Sequence, residues 1–270
     1  MSLALESVSY RYAGADRPSL LDVSLELREG EVIGLAGASE AGKTTLCLVL
    51  SGLAPRTVGG QIRGRLSIDG EDVDPWPMHR LSQRVAIAFQ SPASQLSQVA
   101  GTVFEEVAFG PMNLGVPRDE LLERTWTALR ALRIEDLAER DPLRLSGGQQ
   151  QLVAIAGLLA MAPAHLVLDE PTAQLDPAGT RMVADAIQRL ADGGTSILVA
   201  EQKTDLLAAA CSRVVVLEAG RIALQGPADT VLADPRLDGL GVASPASVRL
   251  RQLAEGARVD GQRLAEAIGP

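Results

Sequence analysis

Gly37-Ala-Ser-Glu-Ala-Gly-Lys-Thr44 carries the spacing G-x-x-x-x-G-K-[ST], between an apolar run and a helix-like run. In that setting loop amides and a helix N-terminus point at one spot, where an anionic phosphate can be wrapped. Lys43 would reach the β- and γ-phosphates of a nucleotide and Thr44 would offer its hydroxyl to Mg²⁺. The alternative, a glycine turn before an ordinary helix, is weakened because Lys43 is one of only two lysines in the chain. Glu40 stands where such loops commonly carry glycine. Its carboxylate must point away from the phosphates, and the cradle is expected to survive only if residue 40 needs no positive φ.

A second acidic feature lies downstream. His165-Leu-Val-Leu-Asp169-Glu170 reads as an apolar strand ending in two carboxylates. Asp169 can hold Mg²⁺, and Glu170 can polarise an attacking water as general base. Such a strand end means little alone; after a phosphate loop it completes a hydrolytic set. Leu145-Ser-Gly-Gly-Gln149 precedes a helix, so its serine and amides form another anion-binding cap or, more blandly, a capped helix start.

Elements of alternating type must hold these residues. Strands are expected at 3–12, 20–28, 32–36, 65–69, 84–88, 165–168, 196–200, 213–217 and 221–225. Helices are expected at 44–53, 103–109, 120–137, 149–161, 178–191 and 204–211, with Pro111, Pro117 and Pro142 as punctuation. The alternation after residue 148 argues for a mostly parallel sheet covered by helices, an α/β fold. The stretch 91–146 reads as an inserted helical subdomain. Beyond about 235 come two weak helical patches, 247–253 and 262–268, suited to packing or to a dimer contact.

Composition bounds the rest. The chain has 270 residues, 46% hydrophobic and 22% charged, enough for one large domain with a short extension. A net charge of −9 repels phosphate backbones, so no nucleic-acid partner is expected. Cys47 and Cys211 form no metal-binding spacing and read as buried thiols. The start shows no basic end followed by an apolar run, so no signal peptide is expected. The most apolar stretch, 152–168, is broken by Gly157 and Pro163 and leads into Asp169, which argues for a buried helix and strand rather than a membrane span.

Together, in this order over residues 1–235, the motifs resemble the ATP-binding cassette family, whose signature is LSGGQ. The resemblance implies a P-loop NTPase cassette with a mostly parallel core sheet, an antiparallel β subdomain, a helical subdomain at about 91–146, and a short C-terminal helical extension at 236–270. It implies that ATP is bound by Tyr12 on adenine and by Gly37, Ala38, Ser39, Glu40, Ala41, Gly42, Lys43, Thr44 and Thr45. Mg²⁺ would be held by Thr44, Gln90 and Asp169, and the catalytic set would be Glu170, Gln90 and Gln202. Ser146, Gly147, Gly148 and Gln149 would cap the ATP of a second cassette subunit, alike or different, and Asp176 would communicate across that dimer. The family's switch histidine is replaced by Gln202, which can hydrogen-bond a γ-phosphate but carries no proton or positive charge.

Gln95-Leu96, Val107-Ala-Phe-Gly-Pro111, Asn113-Leu-Gly115 and Val153-Ala-Ile-Ala-Gly157 look like the energy-coupling-factor importers of vitamins and of cobalt or nickel ions. That implies a transmembrane coupling subunit and a substrate-capture membrane protein as partners, and a peripheral place on the cytoplasmic face. Gln150-Gln-Leu152 departs from the family's usual QxR there. A soluble cassette ATPase and a weakly hydrolysing regulatory subunit remain as alternatives.

Overall fold

The computed structural model describes residues 1–257. Its strands are β1 (Ser2–Arg11), β2 (Leu20–Arg28), β3 (Val32–Gly37), β4 (Gln61–Ile68), β5 (Glu71–Asp72), β6 (Val85–Ala88), β7 (His165–Asp169), β8 (Ser196–Ala200), β9 (Arg213–Glu218) and β10 (Arg221–Pro227). Its helices are α1 (Lys43–Leu50), α2 (Leu53–Arg56), α3 (Met78–Ser82), α4 (Val103–Asn113), α5 (Arg118–Leu132), α6 (Gly147–Ala160), α7 (Pro177–Asp192), α8 (Thr204–Ala210), α9 (Ala228–Val231) and α10 (Ala246–Ala257).

The strands form two sheets. One is antiparallel, in the order β2-β1-β4-β5. The other runs β10-β9-β3-β8-β7-β6, parallel from β9 to β6, with β10 antiparallel at one edge. Strands β3, β7 and β8 are buried along their whole length, as a parallel sheet covered on both faces requires. Alternation sorts their side chains. Ile33, Leu35, Val167 and Leu198 join one core with β1, β2 and α1. Val32, Leu166, Leu168, Ile197 and Val199 face the other, with α4 to α7. Truncating a buried leucine such as Leu166 to alanine should cost about 2–5 kcal/mol.

The sheet order explains the site. The four strands β3, β8, β7 and β6 are neighbours and parallel, so the loops after them open at one edge. The phosphate loop follows β3, Gln202 follows β8, Asp169 and Glu170 close β7, and Gln90 follows β6.

Three boundaries differ from expectation by four residues or more. Helix α4 runs through Pro111 to Asn113 instead of stopping at 109, because only its last turn lies beyond the proline and little hydrogen bonding is forfeited. Helix α5 stops at 132, not 137. Arg133 adopts φ +57, its N–H donates to the Arg130 carbonyl, and Ile134 donates to Leu129. That is a Schellman closure, usually marked by glycine, and an arginine gives no such signal. Strand β4 begins at 61 rather than 65, paired to β1 through Arg11↔Gln61.

Beyond β10 the chain packs back on the helical side. Leu237 and Val242 are buried, Thr204 donates its hydroxyl to the Ala243 carbonyl, and Asp205 accepts from the Ala246 N–H. Ala246–Ala257 is helical, covering the patch expected at 247–253; the patch at 262–268 lies outside the described residues. Both cysteines are free and buried, and burial pushes the Cys47 thiol well up and the Cys211 thiol to about 12. Among the described residues no helix is long and apolar enough to cross a membrane.

Candidate functional site

A cleft of about 710 Å³ opens at the shared strand edge. Lys43, Thr44, Thr45, Glu170 and Gln202 line it, joined by Ser39, Glu40 and Gly42 of the loop. Lys43 is 5% exposed, and its ammonium donates to the Gly37 and Ala38 carbonyls at 3.0 and 3.1 Å, which aims the charge at the centre of the loop. It lies 3.8 Å from Glu170 Oε1. Gln202 Nε2 donates to the same Glu170 oxygen at 2.8 Å.

The loop's curvature comes from close approach. Gly42 has φ +107, and a Cβ there would lie 2.8 Å from the Ser19 carbonyl oxygen; one at Gly220 would lie 2.6 Å from it. Only glycine lets the phosphate loop and the β9–β10 turn press on the 17–20 segment together. Arg17, Ser19, Ala219 and Gly220 thereby line the cleft. Sequence reasoning missed all four, since their only signals are an isolated arginine and a turn glycine.

Glu40 corrects an expectation. It adopts φ +64, so the position does require the left-handed conformation, and the loop forms with glutamate in it. The strain is about 1 kcal/mol, small enough for the fold to absorb. The side chain is exposed in the cleft wall.

Thr44 Oγ1 donates to Asp169 Oδ1 at 3.3 Å. Burial pushes the Asp169 carboxyl up from its ordinary value, while the Thr44 hydroxyl pulls it down. Two oxygen donors side by side, with no cluster of three acidic, His or Cys ligands among the described residues, suit a hard cation that completes its shell with phosphate and water. Mg²⁺ therefore fits Thr44 and Asp169, and the exposed Gln90 follows the neighbouring strand β6. Gln95 pins that stretch: its Oε1 accepts from the Phe89 N–H at 2.7 Å.

Tyr12 lies outside the phosphate cleft. Its hydroxyl pairs with Thr45 Oγ1 at 3.1 Å and its ring meets Tyr10 edge-on with centroids 4.9 Å apart. It stands beside the first turn of α1 and lines an adjoining hollow of about 470 Å³.

The signature residues are elsewhere. Ser146 caps α6, accepting from the Gln149 N–H at 3.4 Å while Gln149 Oε1 accepts from the Ser146 N–H at 3.1 Å. Ser146 and Gly147 are exposed, and none of Ser146, Gly147, Gly148 and Gln149 lines the phosphate cleft. A Cβ on Gly148 would fall 2.8 Å from the Gly179 Cα, so α6 and α7 touch backbone to backbone. Asp176 caps α7, its Oδ1 accepting from the Gly179 N–H at 2.7 Å. The phosphate loop, the Asp169–Glu170 strand end and Gln202 converge; the signature and Asp176 form a separate, exposed pair of helix caps.

The ABC transporter family matches residues 20–173. A protein of Pyrococcus horikoshii described as an ABC transporter ATP-binding protein is 41% identical over 250 residues, covering 92% of this chain and 87% of that one. The energy-coupling factor transporter ATP-binding protein EcfA2 of Methanospirillum hungatei is 35% identical over 237 residues, covering 87% of this chain and 58% of its own. Among solved structures, cbiO1 of Clostridium perfringens, part of the ABC transporter complex cbiONQ, superimposes with a TM-score of 0.79 at 30% identity, covering 93% and 94% of the two chains.

Proposed function

Because the chain belongs to the ABC transporter family, as one of its ATPase domains, we propose that it is the ATP-hydrolysing motor of a membrane importer of the energy-coupling-factor type. The observation that carries the hydrolytic part is the meeting of Lys43, Thr44, Asp169, Glu170 and Gln202 on adjacent loops of one sheet edge. The importer part rests on similarity to EcfA2 and to cbiO1.

Loop amides and Lys43 hold the β- and γ-phosphates, and Tyr12 offers its ring to adenine. Thr44, Asp169 and Gln90 would hold Mg²⁺, which when bound neutralises charge on the phosphates. Glu170 takes a proton from water as the water oxygen bonds to the γ-phosphorus. The bond to the β–γ bridging oxygen breaks, and ADP leaves with its electron pair. Gln202 keeps the Glu170 carboxylate in place.

The exposed serine cap at Ser146 and the Asp176 cap, both outside the chain's own phosphate cleft, favour a head-to-tail pair in which each signature closes the other's ATP. A lone chain should then be weakly active. Exposed apolar side chains in and just beyond residues 91–111, notably Val99 at 75%, with Met112 and Leu114, suit docking of membrane-subunit helices beside Gln90. Polar substitutions there should uncouple hydrolysis from transport and leave ATP binding intact. The chain would work peripherally, on the cytoplasmic face.

A weakly hydrolysing regulatory role is the second reading, favoured by one observation, Gln202 at the switch position. Purifying the tagged chain from its native membranes in mild detergent tests the transport reading, and phosphate release by the recovered complex tests the regulatory one. A multi-span membrane subunit with a second cassette is the expected company; recovery alone as a soluble homodimer, or with ribosomes or DNA, would overturn the transport reading.

A further inference from the structure

Three consecutive residues at the end of β8 grip the loop that follows β7. Gln202 holds the Glu170 carboxylate, as above. Lys203 Nζ donates to the Thr172 carbonyl at 2.7 Å and to Thr180 Oγ1 at 3.3 Å. Glu201 is the least expected of the three: a carboxylate only 1% exposed, in a region where hydrolysis does not need another acid.

Burying a carboxylate is unfavourable unless its oxygens are supplied with donors. Here both are. Oε2 accepts from the hydroxyl of the fully buried Thr172 at 2.5 Å. Oε1 accepts from the Gln202 and Lys203 N–H groups at 2.8 and 3.2 Å. With its acceptors occupied by protein, Glu201 is placed to hold a shape rather than to move a proton.

The shape it holds is strained. Glu170 has φ +50, a left-handed conformation that a glutamate adopts only where the surroundings over-determine it. Its N–H donates to the Ala200 carbonyl at 2.8 Å, and its own carbonyl accepts from Ala173 at 3.1 Å. Thr172 lies between these anchors, separated from Glu170 by Pro171 alone. An apolar side chain at 201 would serve mere packing as well as a carboxylate does.

We propose that Glu201 is a positioning residue for ATP hydrolysis: its buried carboxylate latches Thr172 and so keeps the strained backbone of Glu170 where the carboxylate can reach the water. The latch rests on the reading of Glu170 as the general base. It also joins the switch strand to the Asp176 loop, since Thr172 and Thr180 flank Asp176 and Lys203 touches both.

The test uses the full chain purified with its native partners, and follows phosphate release against ATP concentration. Thr172→Val keeps the volume and removes the hydroxyl. Its kcat should fall about tenfold while KM for ATP stays within about twofold. Thr172→Ser, which restores the hydroxyl, should keep more than about half the wild-type kcat. Wild-type kcat in Thr172→Val, or a loss shared in full by Thr172→Ser, overturns the latch. If Thr172→Val fails to fold, Glu201→Met fills the space with no acceptor for the Thr172 hydroxyl. It should then lower kcat about threefold or more at unchanged KM, and wild-type kcat there overturns the proposal equally. Glu170→Gln separates the two readings. If it is inactive while Thr172→Val is fully active, the latch fails and the general base stands; if it hydrolyses as fast as wild type, the base assignment fails and the latch falls with it.

Discussion

Gln202 donates its amide to Glu170 Oε1 over 2.8 Å, and the same oxygen lies 3.8 Å from Lys43 Nζ. One carboxylate oxygen is thus held from two sides, by a neutral amide where the family expects an imidazole and by the phosphate-loop lysine. The amide can position but cannot supply charge to a phosphate in transfer. Gln202→His should therefore raise the steady-state rate of phosphate release in the assembled complex, roughly tenfold for ~1.4 kcal/mol off the barrier. A variant no faster than wild type would show that the switch position does not limit turnover.

Glu40 combines a left-handed φ of +64 with a negative charge in the wall of a phosphate cleft. Glycine there removes both burdens. Glu40→Gly should bind ATP more tightly, by about 1 kcal/mol or roughly fivefold in Kd, with stability changed by less than about 1 kcal/mol because glycine also frees the unfolded chain. Titration with a fluorescent ATP analogue checks this, and unchanged or weaker binding would count against it.

Two glycines of α6 should respond to alanine in opposite directions. At Gly148 the added Cβ meets the Gly179 backbone at 2.8 Å, whereas at Gly157 nothing lies within 4 Å. Gly148→Ala should lose about 1–3 kcal/mol, and Gly157→Ala should gain about 0.5–1 kcal/mol from helix propensity. Thermal melts of the two variants give the comparison directly.

His165 is fully buried in β7, and neither ring nitrogen has a partner among the described residues. Burial pushes its pKa down to about 4 from 6.5. Between those values the unfolded chain binds a proton that the folded chain refuses, so stability falls on acidification from about pH 6.5 towards pH 4. The full span is worth about 3 kcal/mol. Denaturant melts at pH 7 and pH 5 should show a drop that His165→Leu reduces; an identical drop in the variant would assign the acid sensitivity elsewhere.

Much of the candidate site is legible in the sequence because its chemistry is written in contiguous residues. The phosphate loop, the Asp169–Glu170 strand end and the signature are each read within one short segment, and apolar runs placed β3, β7 and β8 within a residue or so. What escaped is made by contacts between distant segments. Arg17 and Gly220 reach the cleft only through the packing of a loop and a turn on Ser19. Glu201 carries no signal of its own in the sequence, and its meaning depends on Thr172 in another loop. Backbone conformation was equally hidden. A positive φ at Glu40, Arg133 or Glu170 has no residue signature when glycine is absent.

The most direct test of the hydrolytic reading is to measure ATP binding and phosphate release on Glu170→Gln beside the wild type, in the complex recovered from native membranes. The substitution keeps the size of the side chain and removes its ability to take a proton. The expected result is ATP affinity within about threefold of wild type and phosphate release lower by about a hundredfold or more. Phosphate release at the wild-type rate would contradict the assignment of Glu170 as the base.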